Sequence, residues 1–271
     1  MDKTKLRTPQ ELIKEIRSGV IHIEFLIKND VIASGSGFLS QGYLITNNHV
    51  YSGSSNAESV RLAWHSEAIS QSIEEITISI IKFKTYLKAG SDEDNYDYAI
   101  LDVPELNDKN LYNFSLASHN ENNIFDEILI LGFPFEHQNL VCHRGVISSF
   151  FSKNGVDIIQ LDASVNSSNS GGPLINLKTY NVIGVVTRKN TGLSKTFKEL
   201  YKNFDKQIEI LSASLSEMWL GKNNLDPIHA LVTGQEQMKN LAKEIERSAN
   251  VGIGYAFSIK HVLEEIEGLK N

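Results

Sequence analysis

The stretch LDASVNSSNSGGPLIN, Leu161 to Asn176, decides how the rest of the chain is read. Its first residues close the alternating apolar run VDIIQLD, its last four open another, and Asn166 to Pro173 between them are all Ser, Asn, Gly or Pro. A period of two broken by small, turn-forming residues is strand, tight loop, strand. The same grammar extends outward. VIHIEFLI, SGFLS, YLIT, SVRLAW, ITISIIKF, YAILDV, EILILGF and LVCHRGVISSF repeat it from Val20 onward, and NVIGVVTR and IGYAFSI follow downstream. About a dozen short strands predict an all-β chain, and a small barrel takes about half that number. The expected fold is two packed six-stranded antiparallel β-barrels dividing between Pro104 and Asn123, the first over residues 20–112 and the second over 113–190 with 251–259.

Three segments break the pattern. Leu12, Ile13 and Ile16 sit at helical spacing, so residues 1–19 are expected to hold an N-terminal helix stopped at Gly19. KHVLEEIEGL predicts a C-terminal helix over 260–271. Between them, Leu193, Phe197, Leu200, Phe204, Ile208 and Leu211 recur every three or four residues, a stripe that continues to Trp219. Met238, Leu241 and Ile245 form a second stripe after the break at Gly221 to Asp226, so residues 191–250 read as a helical hairpin inserted in the β fold.

Composition narrows the function classes. The formal charge is -7 and the basic residues are scattered, which disfavours nucleic acid as a partner. Cys142 is the single cysteine, so no intrachain disulfide forms. The histidines lack paired helical spacing, so neither a metal nor another cofactor is expected. The opening MDKTKLRTPQELIKEIRSG has no apolar export core, and Val20 to Ile27 contains His22 and Glu24 and is too short to span a bilayer. The expectation is a cytoplasmic protein with no membrane partner.

Three segments carry reactive residue types. In Asn166 to Pro173, Ser170 precedes two glycines that allow the tight backbone path needed to present N–H groups to an oxyanion; a plain turn between strands would read the same way. In Ser36 to Val50, His49 ends a strand-like run, where an imidazole can exchange a proton near neutrality. In NYDYAILDV, Asp97 immediately precedes an apolar strand and can orient an imidazole, with Asp92, Asp94 and Asp102 as competing carboxylates. Each segment has a bland structural reading when taken alone.

Taken in order, they resemble the chymotrypsin-like, or trypsin-like, serine peptidases, and within them the HtrA/Deg-like branch. GSGF with YLITNNHV is similar to that branch's histidine segment, DYAILDV to its aspartate segment, and LDASVNSSNSGGPLIN to its serine segment. ILGFPF, GVISS, VIGVV and GIGYAFSI resemble strands of its second barrel. The resemblance implies a serine endopeptidase acting on proteins or peptides, with Ser170 as nucleophile, His49 as general base and Asp97 as orienting acid. It places the oxyanion hole at the backbone N–H groups of Ser168 and Ser170. It puts the specificity pocket at Ser164, with Val185, Val186, Gly252 and Gly254 along the substrate. Because Ser164 is uncharged, an apolar substrate side chain is favoured over Lys or Arg.

The chain departs from the family pattern in places. Ser168 stands where relatives usually have glycine; a positive φ there costs about 1–3 kcal/mol. Asn169 replaces the aspartate that digestive members pair with a freed amino terminus, so activation by N-terminal cleavage is not expected. An export segment and a C-terminal peptide-binding domain are expected to be absent. The 191–250 hairpin separates two strands that flank substrate in the family, which suggests control of access or docking of an activating partner; its stripe equally serves as the hairpin's own core. Latency, narrow specificity and a role in stress or defence follow as expectations. The alternative is a catalytically weak, protease-like binding module.

Overall fold

The computed structural model describes residues 9–53, 56–66, 72–118, 122–134, 138–166, 168–187, 192–213, 227–249 and 252–270. They form two compact units, Met1–Arg188 with Gly252–Asn271 and Lys189–Val251.

In the larger unit, helix α1 (Pro9–Ile16) and a 3-10 turn lead into strands β1 (Val20–Ile27), β2 (Asp30–Ser40) and β3 (Tyr43–Thr46). Helical turn α2 (Asn48–Ser52), β4 (Ser59–His65), β5 (Ile73–Ser79), α3 (Ile80–Lys84), β6 (Leu87–Ser91), β7 (Tyr98–Leu101) and α4 (Pro104–Asn107) follow. These strands make one antiparallel sheet in the order β5-β4-β1-β2-β3-β7-β6. This corrects the expected first six-stranded barrel: the sheet has seven strands and stays open. The predicted strand ITISIIKF ends at Ser79, whose hydroxyl accepts from the Lys82 N–H at 3.3 Å and turns the chain into α3. That turn sends the chain to the opposite edge, where β6 pairs with β7 and not with β5.

The second sheet comprises β8 (Glu127–Gly132), β9 (Val141–Lys153), β10 (Val156–Asp162), β11 (Pro173–Asn176), β12 (Val182–Thr187) and β13 (Ile253–Ser258). It is the closed six-stranded antiparallel barrel that the strand count predicts, in the order β10-β13-β12-β11-β8-β9. Helix α7 (Lys260–Leu269) follows it.

Alternation along the strands gathers most of the buried apolar residues into three cores, with Val156, Ile158 and Phe257 in a smaller fourth cluster. Ile21, Ile23, Phe25, Leu44 and Trp64 fill the open sheet, and Ile128, Ile130, Ile159 and Leu174 fill the barrel. The opposite faces, with Phe38, Ile45 and Ile100 from the sheet and Leu129, Leu131 and Val185 from the barrel, meet in a third core. Leu12 and Ile16 of α1 and Val262 and Ile266 of α7 complete it. Each such side chain contributes about 1.5–3 kcal/mol on burial, so this seam fixes the sheet against the barrel.

The smaller unit contains helices α5 (Gly192–Ala213) and α6 (Pro227–Ala249), which pack on each other with Ala242 buried and the Lys239 ammonium donating to the Asp205 carboxylate. The predicted stripe residues Phe197, Phe204, Ile208 and Leu211 are half-buried and Leu200 is exposed. The predicted extension to Trp219 lies outside the described residues.

Candidate active site

The site begins at the end of β3. Asn47 holds an extended conformation and the chain turns helical at α2, which places His49 in the first turn. Asp97 grips that turn twice: its Oδ2 lies 2.7 Å from His49 Nδ1, and its Oδ1 accepts from the His49 backbone N–H at 3.0 Å. The carboxylate is buried, while the imidazole side chain keeps 32 % of its surface exposed. A carboxylate at Nδ1 holds the tautomer protonated there and leaves Nε2 free to act as a base. Asp97 is held at φ 46, a left-handed conformation. Its N–H donates to the Asp92 carbonyl at 2.9 Å, and its own carbonyl accepts from Asn47 Nδ2 at 2.8 Å.

The far end of α2 is also tied. The Lys84 ammonium donates to the carbonyls of Tyr51 and Ser52 and lies 4.0 Å from the centre of the Tyr51 ring. A cation at a helix C-terminus satisfies carbonyls that have no partner within the helix. Desolvation pushes the Lys84 pKa down, so this contact is made against a burial cost.

The loop of Ser170 docks on the β2 and β3 ends. The Ser36 N–H donates to the Ser170 carbonyl at 2.8 Å, and Gly171 exchanges into β12 through its N–H to the Val186 carbonyl at 2.8 Å. Gly171 is required here. Its φ is 87, and a Cβ would lie 2.0 Å from the Ser36 carbonyl oxygen, 2.3 Å from Thr46 Oγ1 and 3.1 Å from the Asn47 N. Ser170 is therefore delivered beside the junction that carries His49, and it is 5 % exposed. Next to it, Asn169 is fully buried with its Nδ2 3.4 Å from His143 Nε2.

Ser168 adopts φ 70, a positive angle that carries a conformational cost for a residue other than glycine. Its carbonyl accepts from Ser36 Oγ at 2.6 Å, and its Oγ lies 2.8 Å from Ser34 Oγ. Ser36 Oγ also accepts from the Phe133 N–H at 3.0 Å. Nothing in the residue types of Ser34 or Ser36 marks them out in sequence; they are found only because β2 runs under the loop.

The candidate pocket residues divide. Ser164 and Gly252 meet, with Ser164 Oγ accepting from the Gly252 N–H at 3.2 Å. Gly254 pairs with Leu161, and a Cβ on it would meet Val165 Cγ2 at 2.6 Å. Val185 and Val186 point into the cores at 1 % and 0 % exposure, and the Val186 N–H is taken by the Gly172 carbonyl. The competing carboxylates are engaged elsewhere: Asp92 with the Asn95 side chain at 2.8 Å and Asp102 with Lys88 at 3.3 Å. Asp94 is exposed. Among the described residues no cluster of three or more His, Cys, Asp or Glu could hold a metal, and no helix is long and apolar enough to cross a membrane.

Comparison with known proteins bears on the same region. The family model for the trypsin-like peptidase domain matches residues 35–185, more than half of the chain. Serine protease HTRA1B of Danio rerio is 28% identical over 265 residues, covering 89% of this chain and 48% of its own length. A probable periplasmic serine endoprotease, DegP-like, of Hahella chejuensis is 34% identical over 159 residues, covering 56% of this chain and 29% of its own length. The chain thus spans about half or less of these relatives. Among solved structures, the HtrA-type protease AlgW with tripeptide superposes at a TM-score of 0.56 and 20% identity, covering 97% of this chain and 64% of that one. The inactive form of Rv3671c from M. tuberculosis superposes at 0.53 and 16% identity, covering 98% and 93%. At these identities the structural matches speak for the fold alone.

Proposed function

The chain belongs to the trypsin-like peptidase domain family, with HtrA and DegP-like serine proteases among its relatives, and from that premise we propose that it is a serine endopeptidase. Ser170 Oγ attacks the peptide carbonyl, His49 Nε2 takes the proton and returns it to the leaving amine, and Asp97 stabilises the imidazolium. The N–H groups of Ser168 and Ser170 receive the oxyanion, a contribution of about 10²–10³ in turnover per donor. The observation that carries this reading is the double contact of one buried carboxylate with His49, at 2.7 and 3.0 Å, beside the docked Ser170 loop.

Substrate specificity is read as a preference for apolar side chains, because Ser164 brings no charge to the proposed pocket base. The enzyme is further proposed to be latent or narrowly specific and governed by a protein partner, with α5 and α6 as the docking element. The lone Cys142 suits a reducing, cytoplasmic setting. One observation favours the second reading, a weak or inactive binding module: Ser168 pays the conformational cost of φ 70 that glycine would avoid. Profiling cleavage of a peptide library decides between them. The peptidase reading expects cuts after apolar residues that vanish in Ser170→Ala; identical profiles for the two proteins would overturn it.

A further inference from the structure

The loop bearing Ser170 is held from below by two hydroxyls of one strand. Ser34 and Ser36 are two residues apart on β2, so their side chains leave the same face. Ser36 Oγ donates to the Ser168 carbonyl at 2.6 Å and accepts from the Phe133 N–H at 3.0 Å, which commits its single hydrogen to the loop. Ser34 Oγ sits 2.8 Å from Ser168 Oγ. One serine thus fixes the carbonyl of Ser168 and the other fixes its side chain. With both anchored, the remaining rotation about N–Cα is set at 70°, and that angle decides where the Ser168 N–H points.

We infer that Ser34 is a positioning residue: through its bond to the Ser168 hydroxyl it holds the left-handed conformation that aims the Ser168 N–H. This rests on the peptidase reading above, in which that N–H receives the oxyanion. Glycine at 168 would populate positive φ without a side-chain anchor. Serine there disfavours the same angle, and the partly buried hydroxyl pair offsets the cost, since one hydrogen bond is comparable in size to part of the strain. The geometry makes a specific demand: Ser34 matters because residue 168 is serine, and its importance ends when residue 168 is glycine.

A double-mutant cycle tests this, reading the second-order rate of fluorophosphonate labelling at Ser170 and the melting temperature of the full chain. Ser34→Ala is expected to slow labelling about tenfold in the wild-type background and less than twofold in Ser168→Gly, the difference being the coupling that a cycle isolates. The melting temperature is expected to fall by about 2–4 °C in the first background, in proportion to one lost hydrogen bond, and to stay level in the second. Equal slowing in both backgrounds, no slowing in either, or coupling in melting temperature without coupling in rate would each overturn the positioning role. Absence of label from every protein, wild type included, both with and without cell extract, would instead overturn the peptidase reading on which the role depends.

Discussion

Asp97 and His49 make the strongest chemical contact in the site, and its value lies in being double. A carboxylate that held only Nδ1 would fix the ring's tautomer; the second oxygen, on the His49 N–H, also fixes the start of α2. Asp97→Asn keeps the shape but offers an amide in place of one oxygen, which favours the wrong tautomer. Peptidase turnover is expected to fall about 10⁴-fold with little change in fold, as a kinetic assay beside a circular dichroism spectrum would read. In sequence, Asp97 stands out from Asp92, Asp94 and Asp102 by its position before an apolar strand and by the resemblance of DYAILDV to the family's aspartate segment. Neither Ser34 nor the Asn47 side chain is marked there, because a contact between distant strands leaves no local pattern.

His22 lies in β1, buried on the face away from the open sheet's core, stacked on Phe133 at 4.7 Å. Desolvation lowers its pKa from 6.5 to about 4, with Arg61 adding and Glu24 opposing. The folded state therefore refuses a proton that the unfolded chain accepts between those values. Stability is complete above about pH 6.5, declines as pH falls toward 4, and loses about 3 kcal/mol in all from this group. Burial lowers His65 and His143 as well, and they act with the same sign. Urea unfolding across this range should show the decline, and His22→Phe, which keeps the stacked ring, should flatten part of it; an unchanged slope would remove His22 as the cause.

Among the elements, the strands were legible where branched or aromatic residues alternate, and twelve of the runs read from sequence correspond to strands or parts of them. β6 was missed because LKAGS has no β-branched residue, and α3 was read as strand because IIKF continues an apolar run. Both errors fall at the edges of the open sheet, where tertiary pairing and a serine cap outweigh propensity. They are also why closure of that sheet was wrongly expected. The Ser170 loop shows the reverse case, where local chemistry is decisive. Gly171→Ala would drive a methyl into the Ser36 carbonyl at a positive φ, with β2 unable to yield while paired on both sides. A loss of about 3 kcal/mol or more in unfolding free energy is expected, together with loss of labelling at Ser170.

For the whole molecule, the question is what the second unit adds to the first. Thr187 and Tyr255 are paired across β12 and β13, so the chain leaves and re-enters the barrel at neighbouring strand ends. Replacing residues 189–251 by a short Gly/Ser linker should therefore leave the barrel closed and the cores of the larger unit intact. A single cooperative melt within a few degrees of the parent is the expected outcome; an uncooperative or aggregating product would mean that the helices support the barrel. If α5 and α6 dock a regulator, the shortened protein should also lose its response to that partner while keeping any basal labelling.

The proposed peptidase has Ser170 as a nucleophile activated by His49. The most direct test is a labelled fluorophosphonate reacted with the full chain, with and without cell extract, and the adduct located by mass spectrometry. The expected adduct lies on Ser170, disappears in Ser170→Ala and is strongly reduced in His49→Ala. No adduct under any condition, or one at another serine that persists in Ser170→Ala, would contradict it.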